Sequence, residues 1–271
     1  MKEIHSIEEM QSKQISIMKL IHEFCVKTDI HYSLAYGSLI GAIRHQGFIP
    51  WDDDIDICML RNDYDRFLEE FPEWGEKNGL FLACSTNKAH YYPHTLAKVC
   101  DSNTVLVEKM LKVNPELGIY VDVFCLDGIP NNTIKKWMYI KFGRVLKRLF
   151  VASNIDTSSG SFLLHYDRTK RVIIKLFNWL NPNSVFKVLE KHSKKYKGVN
   201  TIEIMNLETS KPIVYKREWF DTLVLHKFED EMFYIPVNYD PILRVEYGDY
   251  MQLPPEEKRI PHHVVDVWEK E

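Results

Sequence analysis

Apolar side chains recur near helical spacing early in the chain, at Ile17, Leu20, Ile21 and Phe24, which predicts an N-terminal helix ending before Asp29 and covering one face of a core. The pattern then changes. "HYSLAYGSLIGAIRHQGFIPW" predicts a strand over Tyr32 to Tyr36, a turn at Gly37-Ser38, and a short helix from Leu39 to about His45, broken by Gly47 and Pro50. In the next stretch the period is two, so Asp54 and Asp56 point to one face of a strand while Ile55 and Ile57 point to the other. "NDYDRFLEEFPEWGEKNG" reads as a helix capped by Asn62 or Asp63, and "LFLACSTN" as a strand. "HTLAKVCDSNTVLVEK" predicts a hairpin turning through Asp101-Ser102-Asn103. "GIYVDVFCLDGIP" alternates as a strand up to the Asp127-Gly128 turn.

Downstream, "TIKKWMYIKFGRVLKRLFV" and "RTKRVIIKLFNWLNPNSVFKVLEKHSKKYKG" are helical in pattern, with Thr157 to Ser161 expected as a mobile loop between them. From Thr201 the chain mixes short strands with Pro-punctuated loops, and no internal repeat is visible. The expected fold class is α/β, a mixed β-sheet core with a helical basic insertion. The expected division is a core over residues 1–130, the insertion over 131–200, and a C-terminal part over 201–271 that returns to the core as one intertwined unit.

Composition adds little to this until charge is resolved along the chain. The 271 residues are 45% hydrophobic and 27% charged, ordinary for a globular protein. The polar opening "MKEIHSIEEMQSKQ" lacks a leader pattern and no apolar run has spanning length, so the expected location is cytoplasmic. Five widely spaced cysteines without a CxxC pair argue against a disulfide framework or zinc knuckle. The net charge of −3 conceals an asymmetry. Residues 131–200 carry fifteen Lys and Arg against three Asp and Glu, a net of +12, which leaves −15 on the rest. That basic stretch is either a solvated helix face or a contact with a membrane surface or lipid-linked acceptor. Nucleic acid is disfavoured by the overall negative charge and the lack of a recognition motif.

The candidate chemistry lies in "GFIPWDDDIDI", which places four carboxylates in five positions. Such a cluster needs a cation or a strong hydrogen-bond network to be tolerable. An EF-hand is excluded, because its Gly and distal Glu are missing at the required offsets. A strand, a Gly-Ser turn opening a helix, and a strand bearing two alternating aspartates can hold a phosphate on backbone N–H groups and a Mg²⁺ ion on the carboxylates. Asp122, an acid inside an apolar strand, is the candidate third carboxylate.

Three blocks, "YSLAYGSLIGAIRHQGFIPWDDDIDICM", "IYVDVFCLDGIP" and "YGDYMQLPPEEKRIPHH", resemble in order the LicD family of phosphocholine transferases, distantly related to fukutin-type ribitol-phosphate transferases. The resemblance implies a nucleotidyltransferase-like fold and a donor that is CDP-choline or another CDP-alcohol. The acceptor it implies is a sugar hydroxyl on a glycan or lipid-linked oligosaccharide of teichoic acid, capsule or lipopolysaccharide. It further implies Mg²⁺, or Mn²⁺ in its place, on Asp54, Asp56 and Asp122, with Asp122 alternatively the base. Gly37 and Ser38 would bind donor phosphate, and Lys98 would neutralise it. Arg44, as a partner of Asp52 or Asp53, and Arg259, with His262 and His263, complete the implied pocket. A choline headgroup would need aromatic faces, for which Tyr36, Trp51, Tyr91, Tyr92, Tyr247 and Tyr250 are candidates. Two other readings stand beside this one: transfer of the nucleotide itself to an acceptor, and a non-catalytic binding protein that has kept the fold.

Overall fold

The computed structural model describes residues 2–4, 6–107, 112, 116–158, 167–208, 212–259 and 266–270. Its first helix, α1 (Ile7–Thr28), begins where the Ser6 hydroxyl accepts the Glu9 amide hydrogen and ends at Asp29 in the left-handed conformation. It buries Ile17, Met18, Ile21 and Phe24. A short strand β2 (Ser33–Leu34) leads into helix α2 (Tyr36–His45), so Gly37 and Ser38 lie within the helix's opening turn rather than ahead of it. Strand β3 (Asp56–Leu60) runs straight into α3 (Arg61–Lys77). The expected cap at Asn62 or Asp63 is therefore replaced by Leu60, with no side-chain cap. The reason is Arg61: buried in the first turn, it donates to both carboxylate oxygens of Asp127 at 2.7 and 2.8 Å, which fixes where the strand must become helix.

Strands β4 (Leu80–Ala83), β5 (Ala97–Asp101), β6 (Thr104–Val107) and β7 (Tyr120–Gly128) follow. The central sheet has the order β2-β3-β7-β5-β4, with β3 and β7 parallel and the other pairs antiparallel. The sheet is thus mixed, as expected. The hairpin expected between β5 and β6 does not form. Both edges of β5 are taken, by β4 and β7, and the Asp101 carboxylate accepts the Asn103 amide hydrogen to bend the chain aside. β6 instead pairs with β12 (Asp266–Glu269), whose other edge carries β1 (Lys2–Glu3).

The basic stretch forms α4 (Thr133–Asn154), α5 (Arg168–Phe177) and α6 (Pro182–Ser193). The expected loop over Thr157 to Ser161 lies partly outside the described residues. α4 and α6 enclose a small second core of Tyr139, Leu146, Phe150, Phe186 and Leu189, joined by Ile129, Met205 and Leu207. Strands β8 (Glu203–Met205) and β9 (Val214–Lys216) then extend the far end of β7, and the hairpin β10 (Leu223–Phe228) with β11 (Glu231–Pro236) leads to helix α7 (Tyr239–Tyr247). The main core draws on both ends of the chain, from Ile4 to Leu126 and again from Ile204 to Val267. All five cysteines are buried, and none forms a disulfide.

Arg61→Ala tests the strand-to-helix junction. It strips a cation from Asp127, which is only 3% exposed, and leaves an uncompensated buried carboxylate. The expected loss of stability is about 3–5 kcal/mol in chemical denaturation; a loss within experimental error would show that the junction does not depend on this pair.

Candidate active site

Register brings the site together. Asp56 lies directly opposite Asp122 across the parallel β3–β7 pair, and Asp122 lies directly opposite Lys98 across the antiparallel β7–β5 pair. Residues in register share a face, so two acids and one base form a row across three strands. Asp54, two residues before Asp56, joins from the same side, and one carboxylate oxygen from each of Asp54, Asp56 and Asp122 lies within 4.8 Å of the others. Asp52, Asp53 and Asp54 form a second such group. At that separation two carboxylates repel by about 3 kcal/mol or more at an effective dielectric constant near 20. Burial adds to the cost. Both effects push the Asp56 carboxyl well above its ordinary range: burial first, then the charges of Asp54, Asp122 and Asp52, with Lys98 opposing them.

Several contacts hold these groups in place. The Asp56 amide donates to Ser38 Oγ at 2.9 Å, tying the opening turn of α2 to the start of β3. From α1, Gln11 and Gln14 donate their side-chain amides to the carbonyls of Asp52 and Asp53, both at 2.8 Å. Gly37 is required by proximity: a Cβ there would come within 2.5 Å of Asp52 Oδ2. Tyr36, immediately before it, adopts φ 47°, a left-handed conformation that costs an aromatic residue about 1–3 kcal/mol. The neighbours enforce it. The Tyr36 hydroxyl accepts from Asn206 Nδ2 at 2.8 Å, and its ring packs edge-on against Phe124.

Lys98 is buried and donates to Asp122 Oδ1 at 2.8 Å, with its ammonium 3.4 Å from the centre of the Tyr120 ring. Arg259 donates to the Pro254 carbonyl and lies over Trp51 at 5.6 Å, beside the acidic run. Arg44 departs from expectation. It stands in the last turn of α2 and donates to the carbonyls of Tyr250 and Gln252, not to an aspartate, because the C-terminal segment closes over that end of the helix. His262 and His263 lie outside the described residues. Of the aromatic candidates, Tyr92 and Tyr250 are buried, the latter donating to Asp240, and Tyr91 donates to Asn183. Tyr247 is 47% exposed as a whole residue. Its hydroxyl is pushed up by desolvation and by the charges of Glu246, Asp56, Asp52 and Asp54.

Several contributors are not singled out by the sequence pattern, among them Gln14, Tyr120 and Glu246. Gln14 had a legible signal, a polar residue among Ile17, Ile21 and Met10 on the apolar face of α1. Tyr120 and Glu246 had none. Glu246 Oε1 accepts from the Tyr215 hydroxyl at 2.5 Å, while Oε2 is buried without a hydrogen-bond partner.

As a set, Asp54, Asp56 and Asp122 suit a hard divalent cation: three converging carboxylates, oxygen ligands only, and a repulsion that a cation would relieve. The neighbouring helix turn offers backbone N–H groups to a phosphate.

Residues 29–139 match the family model described as LicD/FKTN/FKRP, nucleotidyltransferase domain. Along 97% of its length the chain is 31% identical to the lipopolysaccharide cholinephosphotransferase LicD of Haemophilus influenzae, covering 98% of that protein. A shorter stretch of 74 residues is 38% identical to an uncharacterized protein of Rickettsia typhi, spanning 25% of this chain and 24% of the relative.

Glu246 yields a pH prediction. Burial pushes its carboxyl from the ordinary 4.5 up to about 7, against the opposing Tyr215 hydrogen bond. The folded state therefore holds the proton more tightly than the unfolded one, so the stability it contributes is present below pH 4.5 and is lost as pH rises through 7. Glu246→Gln keeps an acceptor for Tyr215 and cannot ionise. It should match wild type at pH 4.5 and exceed it by about 3 kcal/mol at pH 8 in denaturant titrations; an equal difference at both pH values would refute the assignment.

Proposed function

The chain belongs to the LicD family, and from that premise we propose that it transfers phosphocholine from CDP-choline to a sugar hydroxyl of a cell-surface glycan precursor, lipopolysaccharide first among the candidates, releasing CMP. The observation that carries the reading is the convergence of Asp56 and Asp122 from two adjacent parallel strands with Asp54, just ahead of the first strand, beside the opening turn of α2. These three carboxylates would hold Mg²⁺, or Mn²⁺ in its place. When bound, the ion neutralises donor phosphate and the charge that develops in transfer.

The chain's own residues do the rest. Amides at Gly37 and Ser38 face the donor phosphate, with the helix dipole favouring negative charge there. Lys98 donates to Oδ1 of Asp122, fixes the orientation of that carboxylate, and leaves Oδ2 for the metal. The acceptor hydroxyl attacks the phosphorus that bears choline and forms a new P–O bond. The bond between that phosphorus and the bridging oxygen breaks, CMP departs, and the hydroxyl proton passes to a carboxylate of the cluster. Trp51 and Tyr247, beside the acids, offer faces to the trimethylammonium group, each contact contributing about 0.5–2 kcal/mol. Arg259, stacked on Trp51, supplies positive charge at the same mouth.

The test is CMP release from CDP-choline, CDP-ribitol and CDP-glycerol with Mg²⁺ and a lipopolysaccharide core oligosaccharide, with mass analysis of the product. The expected result is CDP-choline-selective turnover that adds phosphocholine to the acceptor and falls at least about 10²-fold in Asp56→Ala or with a chelator. Use of another CDP-alcohol instead would overturn the choline assignment. Addition of CMP to the acceptor would replace the reaction with nucleotidyl transfer, and full activity in Asp56→Ala would remove the cluster from the chemistry.

A further inference from the structure

The helices between β7 and β8 bury only part of their apolar surface. On α4, Ile134, Trp137 and Met138 are 71%, 62% and 58% exposed, on the side away from Tyr139, Gly143, Leu146 and Phe150, which face the second core. α5 goes further. It buries Ile174 alone, and Val172, Leu176 and, just beyond the helix, Trp179 form an i, i+4, i+7 stripe that is 64%, 63% and 80% exposed. Large aromatic and aliphatic side chains left in water on adjoining helices mark a docking surface rather than a fold requirement.

Charge says what docks. Lys135, Arg144, Arg148, Arg168 and Lys175 stand on these two helices, and none of them has a carboxylate partner among the described residues. Lys141 lies over the exposed Trp137 ring at 5.8 Å. Between the helices and the segment Met205–Glu208 opens a cavity of about 390 Å³, where Arg144, Arg148 and Lys170 stand beside the apolar Val151 and Ile173, and Glu208 is paired with Lys147. Basic residues flanking apolar side chains complement a surface that is anionic outside and apolar beneath. A second copy of this chain fits less well, because two such faces would bring like charges together. No described helix is long and apolar enough to cross a membrane, so the contact is one of surface.

We propose that the exposed faces of α4 and α5 dock the protein on an anionic lipid bilayer, with Trp137, Leu176 and Trp179 entering the interface and the unpaired Lys and Arg residues meeting the headgroups. None of the exposed residues named here belongs to the aspartate cluster, and the inference does not depend on which donor the enzyme uses. For an acceptor built on a lipid, it would bring the enzyme to its substrate.

The full chain is mixed with phosphatidylcholine vesicles, and with vesicles containing about a third phosphatidylglycerol, then sedimented. The expected result is at least about tenfold more protein on the anionic vesicles, reversed by salt. Both Trp137→Ser/Trp179→Ser and Arg168→Glu/Lys175→Glu should lose that binding, while circular dichroism and CMP release with a water-soluble acceptor stay at wild-type levels. Absence of binding to anionic vesicles, or retention of binding by either double variant, overturns the proposal. So does a concentration-dependent dimer in vesicle-free buffer that Trp137→Ser/Trp179→Ser abolishes, since the face would then belong to a second copy. None of these outcomes bears on the transfer reaction, which the CMP assay reads separately.

Discussion

Mutual repulsion among clustered carboxylates is the constraint around which the candidate site of this protein is organised. Asp54, Asp122 and Asp52 all act on Asp56, and Lys98 is the one cation among the principal charges acting on it. Each close pair opposes folding by about 3 kcal/mol or more, a large fraction of the net stability of an ordinary domain. Left to local preference, such residues would turn to solvent. The fold prevents this by fixing two of them in a β-ladder, where register decides the direction of the side chain.

The surrounding structure reads as the means of holding that arrangement. Gln11 and Gln14 reach from α1 to grip the backbone of the acidic run, Ser38 grips the backbone of Asp56, and Gly37 gives up a side chain so that Asp52 can approach. Tyr36 adds backbone strain at the same point, held by Asn206 from the chain's later part. Strain and repulsion gathered at one place are the marks of a site built for a ligand.

How far the sequence revealed this depends on the range of the interaction concerned. The alternation of Asp54 and Asp56 with Ile55 and Ile57 is local, and it gave the facing of the side chains correctly. An acid between Val121 and Val123 stood out because an apolar strand seldom carries one, and Asp122 indeed completes the cluster. Contacts set by distant partners were not legible. That Lys98 meets Asp122 depends on the β5–β7 register, that β6 leaves β5 depends on β4 already holding its other edge, and that Arg44 turns to Tyr250 depends on how the C-terminal segment folds back. Leu60 in place of Asn62 at the start of α3 has the same origin, since Asp127 lies sixty-six residues from Arg61. Gln14 is the instructive middle case: its pattern was visible, and only the partner was missing.

The central claim is that the carboxylates repel one another in the absence of a cation and are reconciled by one. The direct measurement is the melting temperature of wild type and Asp56→Asn, each in metal-free buffer and in Mg²⁺. The account predicts that Asp56→Asn melts higher than wild type without metal, because one buried charge is gone, and that Mg²⁺ raises the wild-type melting temperature while leaving the variant nearly unchanged. A variant that melts lower in metal-free buffer, together with a wild type indifferent to Mg²⁺, would contradict it and make the cluster a satisfied structural network.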